Sequence, residues 1–170
     1  GTPKTALIHG PATFGGIGET CCTAIEALNV IYDEGLIENC ATQGEYLLER
    51  LQAIQAKHPK LLKEVRGYGL MIGLEFTDFS EALPMGIKQM VSVLDDKLKG
   101  SLCGFVGSLL LKEYDILVAF TEYNRNVIRL EPPLIVTREQ VDTFCGALDD
   151  LLSRGITKIV MSYIKNFVGK

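Results

Sequence analysis

Apolar residues begin to recur at helical spacing just after Thr20. Cys21, Ala24, Leu28 and Ile31 lie on one face of a helix, and Gly35 is placed to stop it. A second helix is predicted from about Leu36 to Lys57. Its stripe of Cys40, Gly44, Leu47, Leu51 and Ile54 steps by four, three, four and three, and Pro59 ends it. From Glu64 the period changes to two. Leu70, Ile72, Leu74 and Phe76 alternate with Met71, Gly73 and Glu75, as in a strand with one apolar face, and Gly67 and Gly69 predict a bend or bulge before it.

Between residues 80 and 115 the spacing of Ile87, Met90, Val91 and Leu94 predicts one helix. Phe105, Val106, Leu109 and Leu110 predict another, with Gly100 and Gly104 separating the two. Two β-rich runs, Ile116–Phe120 and Val127–Leu130, flank a polar stretch and predict a hairpin with a longer loop. Pro132-Pro133 blocks further ladder pairing. Thr137 and Gln140 have the spacing of a capping box, with Val136 and Val141 able to staple the helix start. That helix carries Val141, Phe144, Leu148 and Leu151 to about Ser153. Gly155 breaks it, and a last helix presents Ile156, Ile159, Tyr163 and Phe167. The sum is an α+β fold: a small antiparallel or mixed sheet of about three strands, with helices covering one face.

Composition narrows the function classes. The 170 residues are 47% apolar and 22% charged, enough for a packed core. A net charge of −4 lacks the electrostatic footprint of a nucleic-acid binder. No apolar run is long enough to span a bilayer, and no secretory signal precedes the body. The cysteines Cys21, Cys22, Cys40, Cys103 and Cys145 form no C-x-x-C pair and are odd in number. A zinc site and a disulfide framework are therefore poor readings, and most of the five are expected to be buried thiols, as suits a reducing cytoplasm. The chain opens on Gly1-Thr2-Pro3-Lys4 rather than on methionine, as a cut piece of a longer protein would.

Two places could carry chemistry. Thr13-Phe14-Gly15-Gly16-Ile17-Gly18 precedes a predicted helix. It reads either as an anion cradle of backbone N–H groups with the Thr13 hydroxyl, or as a plain connector. Arg129 alternates with Ile128 and Leu130, so it points away from the core. It is either a rigidly aimed fork for a carboxylate or an exposed edge arginine paired with Glu131 or Glu75. His58 sits at a helix end, where it serves the helix dipole, and His9 is a candidate only by its nearness to the glycine turn.

Four segments in order resemble the class III pyridoxal-phosphate aminotransferases, the group of ornithine, acetylornithine, putrescine and 4-aminobutyrate transaminases. They are Thr13-Phe14-Gly15-Gly16 with His9 upstream, Gly44–Leu51, Val65-Arg66-Gly67-Tyr68-Gly69-Leu70-Met71-Ile72-Gly73, and Ile128–Leu134 followed by Thr137. The resemblance implies a homodimeric fold-type I enzyme that moves an amino group from an amine or amino acid to a 2-oxo acid on pyridoxal 5'-phosphate. It makes residues 1–19 an extended remnant of the large cofactor domain and 20–170 the C-terminal small domain. It assigns Thr13 to the cofactor phosphate and Arg129 to a substrate carboxylate. The chain departs from the family pattern at Ile17-Gly18-Glu19 and in the His9–Thr13 spacing. No lysine has the context of the family's Schiff-base lysine, so the isolated chain is expected to be inactive. The rival reading is a stand-alone α+β ligand-binding or dimerisation module.

Overall fold

A computed structural model describes residues 17–78 and 102–167. The predicted helix around Ile87–Leu94 and the separating Gly100 lie outside the described residues, as do His9 and Thr13. The chain divides into two units, Gly1–Ile37 and Glu38–Lys170.

In the first unit, helix α1 (Gly18–Asp33) forms where the stripe of Cys21, Ala24, Leu28 and Ile31 predicts it. Glu19 in the first turn complements the positive helix end. Gly35, at φ +63°, stops the helix as expected.

The second unit begins within helix α2 (Leu36–Lys57), which buries Gly44, Leu47, Leu51 and Ile54 along the predicted stripe. The single strand expected from Glu64 is instead a hairpin, β1 (Leu62–Tyr68) and β2 (Met71–Phe76). Tyr68 pairs with Met71, so Gly69 and Leu70 are the whole loop. Gly69 has φ +54° whereas Leu70 is not left-handed, the φ pattern of a type II′ turn with glycine first. The irregularity in the ladder lies between Leu62 and Glu64, not at Gly67.

Helix α3 (Leu102–Tyr114) follows, with Gly104 inside it rather than before it. The second hairpin is shorter than predicted: β3 is only Ala119–Phe120, pairing with β4 (Val127–Leu130). Gly107 lets α3 lie against this hairpin, since a Cβ there would stand 2.6 Å from Phe120 Cζ. The four strands run antiparallel in the order β1-β2-β4-β3, which makes the sheet one strand larger than expected and wholly antiparallel.

Cross-strand register sorts the sheet into two faces. Val65, Leu74 and Ile128 share one row, and Ile72 with Leu130 the next, all buried against the helices. Helices α4 (Arg138–Ser153) and α5 (Gly155–Phe167) complete that layer, and α3 packs on both. The capping box at Thr137 and Gln140 is formed, with Val136 and Val141 both in the core. Gly155, at φ +74°, marks the break between α4 and α5.

Candidate functional site

The other face of the sheet is a polar row. Arg66, Gly73, Arg129 and Ala119 stand side by side across β1, β2, β4 and β3. Arg129 is therefore on an internal strand, not an edge. Its directly opposite cross-strand neighbours are a glycine and an alanine, which set no long side chain straight across from it. About half of its side chain is exposed (51%), and its Nε lies 3.3 Å from Glu131 Oε1. Glu75, the other partner considered, is taken by Arg66 at 2.7 Å and Lys63 at 3.1 Å. Those bonds, with Arg66 first, hold the Glu75 carboxyl below its usual range.

Arg129 opens into a cleft of about 1060 Å³, which Glu131, Leu117, Ala119, Thr137 and Gln140 also line. The segment after β4 forms a wall of it. Pro132 and Pro133 carry no N–H for a ladder, so the chain leaves the sheet. It turns where Val136 N–H meets Pro133 O at 2.9 Å, then enters α4 through the Thr137 cap. The wall is fastened from α2, where the Asn39 amide nitrogen donates to Leu134 O at 2.6 Å and to Val136 O at 3.2 Å. Leu117 and Ile135 add exposed apolar surface, at 80% and 64%.

This geometry suits one end of a small acid. A guanidinium held at Nε by one carboxylate still offers its Nη edge to a second in a two-bond fork. Among the described residues no lysine lines the cleft. They do not by themselves fit pyridoxal phosphate, which needs an amine to hold its aldehyde carbon and donors for its phosphate. Nor do the described residues contain a cluster of metal-ligating side chains.

Thr13, Phe14, Gly15 and Gly16 lie outside the described residues, so Arg129 is the predicted site residue that the structure places. His58 does more than cap a helix end: its Nε2 is 2.8 Å from Asp149 Oδ1, while Asp149 Oδ2 accepts from Lys57 Nζ at 2.6 Å. Lys57 first, then His58, lowers the Asp149 carboxyl below its usual range despite partial burial. None of the five cysteines is in a disulfide, and burial raises Cys145 to about 11. Contrary to the expectation that most are buried, only Cys103 and Cys145 are; Cys40 is half-buried, and Cys21 and Cys22 are exposed on α1, a helix with no buried residue. Sequence reasoning passed over Asn39, because its partners are 95 and 97 residues away and no local period marks it.

Residues 3–152 match the family described as aminotransferase class-III. The acetylornithine aminotransferase of Caldanaerobacter subterraneus subsp. tengcongensis is 35% identical over 142 residues, which is 84% of this chain and 30% of that protein. The ornithine aminotransferase of Bordetella pertussis is 36% identical over 145 residues, 85% of this chain and 28% of that protein. A solved Bacillus anthracis aminotransferase superposes with a TM-score of 0.63 at 26% identity, covering 91% of this chain and 32% of that one. The chain thus spans under a third of the length of the curated relatives it matches.

Proposed function

The chain belongs to the class-III aminotransferase family, and from that premise we propose that it is the C-terminal part of a pyridoxal-phosphate-dependent transaminase. In this reading Arg129 grips the carboxylate of the amino acid or 2-oxo acid. Residues 20–170 act as the small domain, and residues 1–19 belong to the large cofactor domain. Thr13 reaches the cofactor phosphate of a neighbouring subunit, in a homodimer working in a reducing cytoplasm. The chain by itself does not transaminate, because no lysine of it has the context of the family's Schiff-base lysine.

The observation that carries the proposal is Arg129 on an internal strand between Gly73 and Ala119, opening into the cleft. Acetylornithine and ornithine, for which the two relatives are named, are amino acids and so carry the group that a guanidinium fork recognises. Substrate binding then needs only what these residues provide. Arg129 orients the acid by its carboxylate, Glu131 steadies the guanidinium, and Leu117 and Ile135 offer apolar surface to a carbon chain.

The test is titration of the 15N-labelled chain with succinate, using butylamine as the control. Succinate should shift the Arg129 Nε–H resonance and the amides of Gly73 and Ala119, and butylamine should not. In Arg129→Lys the succinate response at those amides should weaken about tenfold or more, as expected for loss of a forked pair. A chain indifferent to succinate, or a lysine variant that binds it equally well, overturns the carboxylate reading. The rival, a dimerisation or binding module of other chemistry, would then stand.

A further inference from the structure

We infer that Asn39 is a positioning residue that fixes the wall of the Arg129 cleft formed by Pro132, Pro133, Ile135 and Val136. The segment needs an outside anchor. Pro132 and Pro133 have no backbone N–H, and the stretch from Glu131 to Val136 belongs to neither β4 nor α4. Its internal tie is the Val136 N–H to Pro133 O bond, a single turn. Asn39 supplies two more ties, and the donor count fits: one amide nitrogen carries two hydrogens, and two main-chain carbonyls receive them.

The chemistry also specifies the residue type. Both partners are acceptors, so the group facing them must be a donor. An aspartate of the same shape would set a carboxylate against two carbonyl oxygens, and alanine would leave both carbonyls to water or to nothing. Asn39 is partly buried in the first turns of α2, the helix whose Leu47 also lines the cleft. A rigid helix thereby sets the distance between the cleft wall and the strand that carries Arg129. Close fixing of this kind is what a binding constellation requires of its supporting residues.

The functional consequence rests on the carboxylate reading of the cleft, whereas the anchoring itself does not. Two measurements on the 170-residue chain separate them. Amide exchange at Val136 should quicken about tenfold or more in Asn39→Ala and Asn39→Asp, the size expected for losing hydrogen bonds that hold a local opening shut. Exchange at Leu51 and Ile128 should stay as it was. Asn39→Ser, which keeps one donor, should fall between. Succinate affinity, read at Arg129 Nε–H, should drop roughly fivefold or more in the alanine and aspartate variants.

Unchanged Val136 exchange in the variants, or a wild-type Val136 amide that exchanges like a free peptide, overturns the anchoring. So does an equal quickening at Leu51 and Ile128, which would mark Asn39 as a general stability residue. A loosened wall with undiminished succinate affinity overturns the positioning role. If wild-type Arg129 ignores succinate altogether, the carboxylate reading fails, and the exchange data still decide the anchoring.

Discussion

Arg129 draws its usefulness from what surrounds it. Gly73 and Ala119 flank it across the sheet, Glu131 meets its Nε, and Pro132-Pro133 fixes where the strand ends. A lysine at this position would keep the charge but lose the planar fork. In a complete transaminase containing this chain, Arg129→Lys is expected to lower kcat/KM for an acid substrate about thirtyfold or more. That is the lower end of what truncating a charge-assisted pair costs in a partly desolvated site. The melting temperature should move little, since about half of the side chain is exposed and its ion pair is with Glu131 on the surface. A variant that melts early but keeps the kinetics of its folded fraction would make Arg129 structural. The direction of this side chain was legible from the two-residue period of β4, which fixes one face once Ile128 and Leu130 are seen to be apolar. Its carboxylate partner stayed open between Glu131 and Glu75, because choosing needed the cross-strand register that gives Glu75 to Arg66 and Lys63.

Elements were legible where a local signal marks both ends. Helix α2 begins and ends at the residues its stripe and Pro59 indicate, and α4 starts at its capping box. The β1–β2 hairpin was missed because its signal is a single glycine. Gly69 at the first loop position satisfies a type II′ turn, but a lone Gly-X is common punctuation in any sequence. The ends of β3 depend on α3 through Gly107, a contact that no local pattern announces. Helix α2 also lies close against the β1–β2 turn: a Cβ on Gly44 would overlap the backbone of Gly69. Gly44→Ala therefore sets two effects against each other. Helix propensity favours alanine by about 1 kcal/mol, while backbone overlap in a packed layer typically costs about 1–3 kcal/mol. Overlap wins, because a two-residue turn has little freedom to yield. Gly146→Ala is the control, since that glycine sits exposed in α4 with nothing within 4 Å of an added Cβ. Urea midpoints should fall for Gly44→Ala and rise for Gly146→Ala. A rise in both would mean that α2 and the hairpin are not in fixed contact.

At the scale of the helical layer, α4 is the seam, and acidic residues stitch it. Asp142 accepts from Tyr46 and Arg50 of α2, Asp149 from Lys57 and, beside it, His58, and Asp150 from Tyr114 of α3 and from Arg154. Arg154 reaches on to Glu113, binding the end of α3 to the end of α4. Each of the three aspartates is held below its ordinary range by these donors: Tyr46 foremost for Asp142, Lys57 for Asp149, and Tyr114 for Asp150. The sign of the linkage follows. A carboxyl with a lower pKa when folded than when unfolded adds stability above the unfolded value, about 3.9 for aspartate, and loses it as pH falls through the folded value. The share of stability these three carboxyls supply should accordingly be level from about pH 8 to pH 5 and decline below about pH 4. The individual pairs are partly exposed, so each contributes modestly and is screened by salt. Their sum lies along one helix, which is why acid should loosen the α2–α4 seam before the sheet opens. Asp149→Asn is the decisive variant, because it removes the charge shared by Lys57 and His58 while keeping the shape of the side chain. Its urea midpoint should sit below the wild type at pH 7, and the gap should narrow as pH drops toward 3, as the wild-type carboxylate is itself neutralised. Parallel curves across that range would show that Asp149 adds nothing to the seam through its charge.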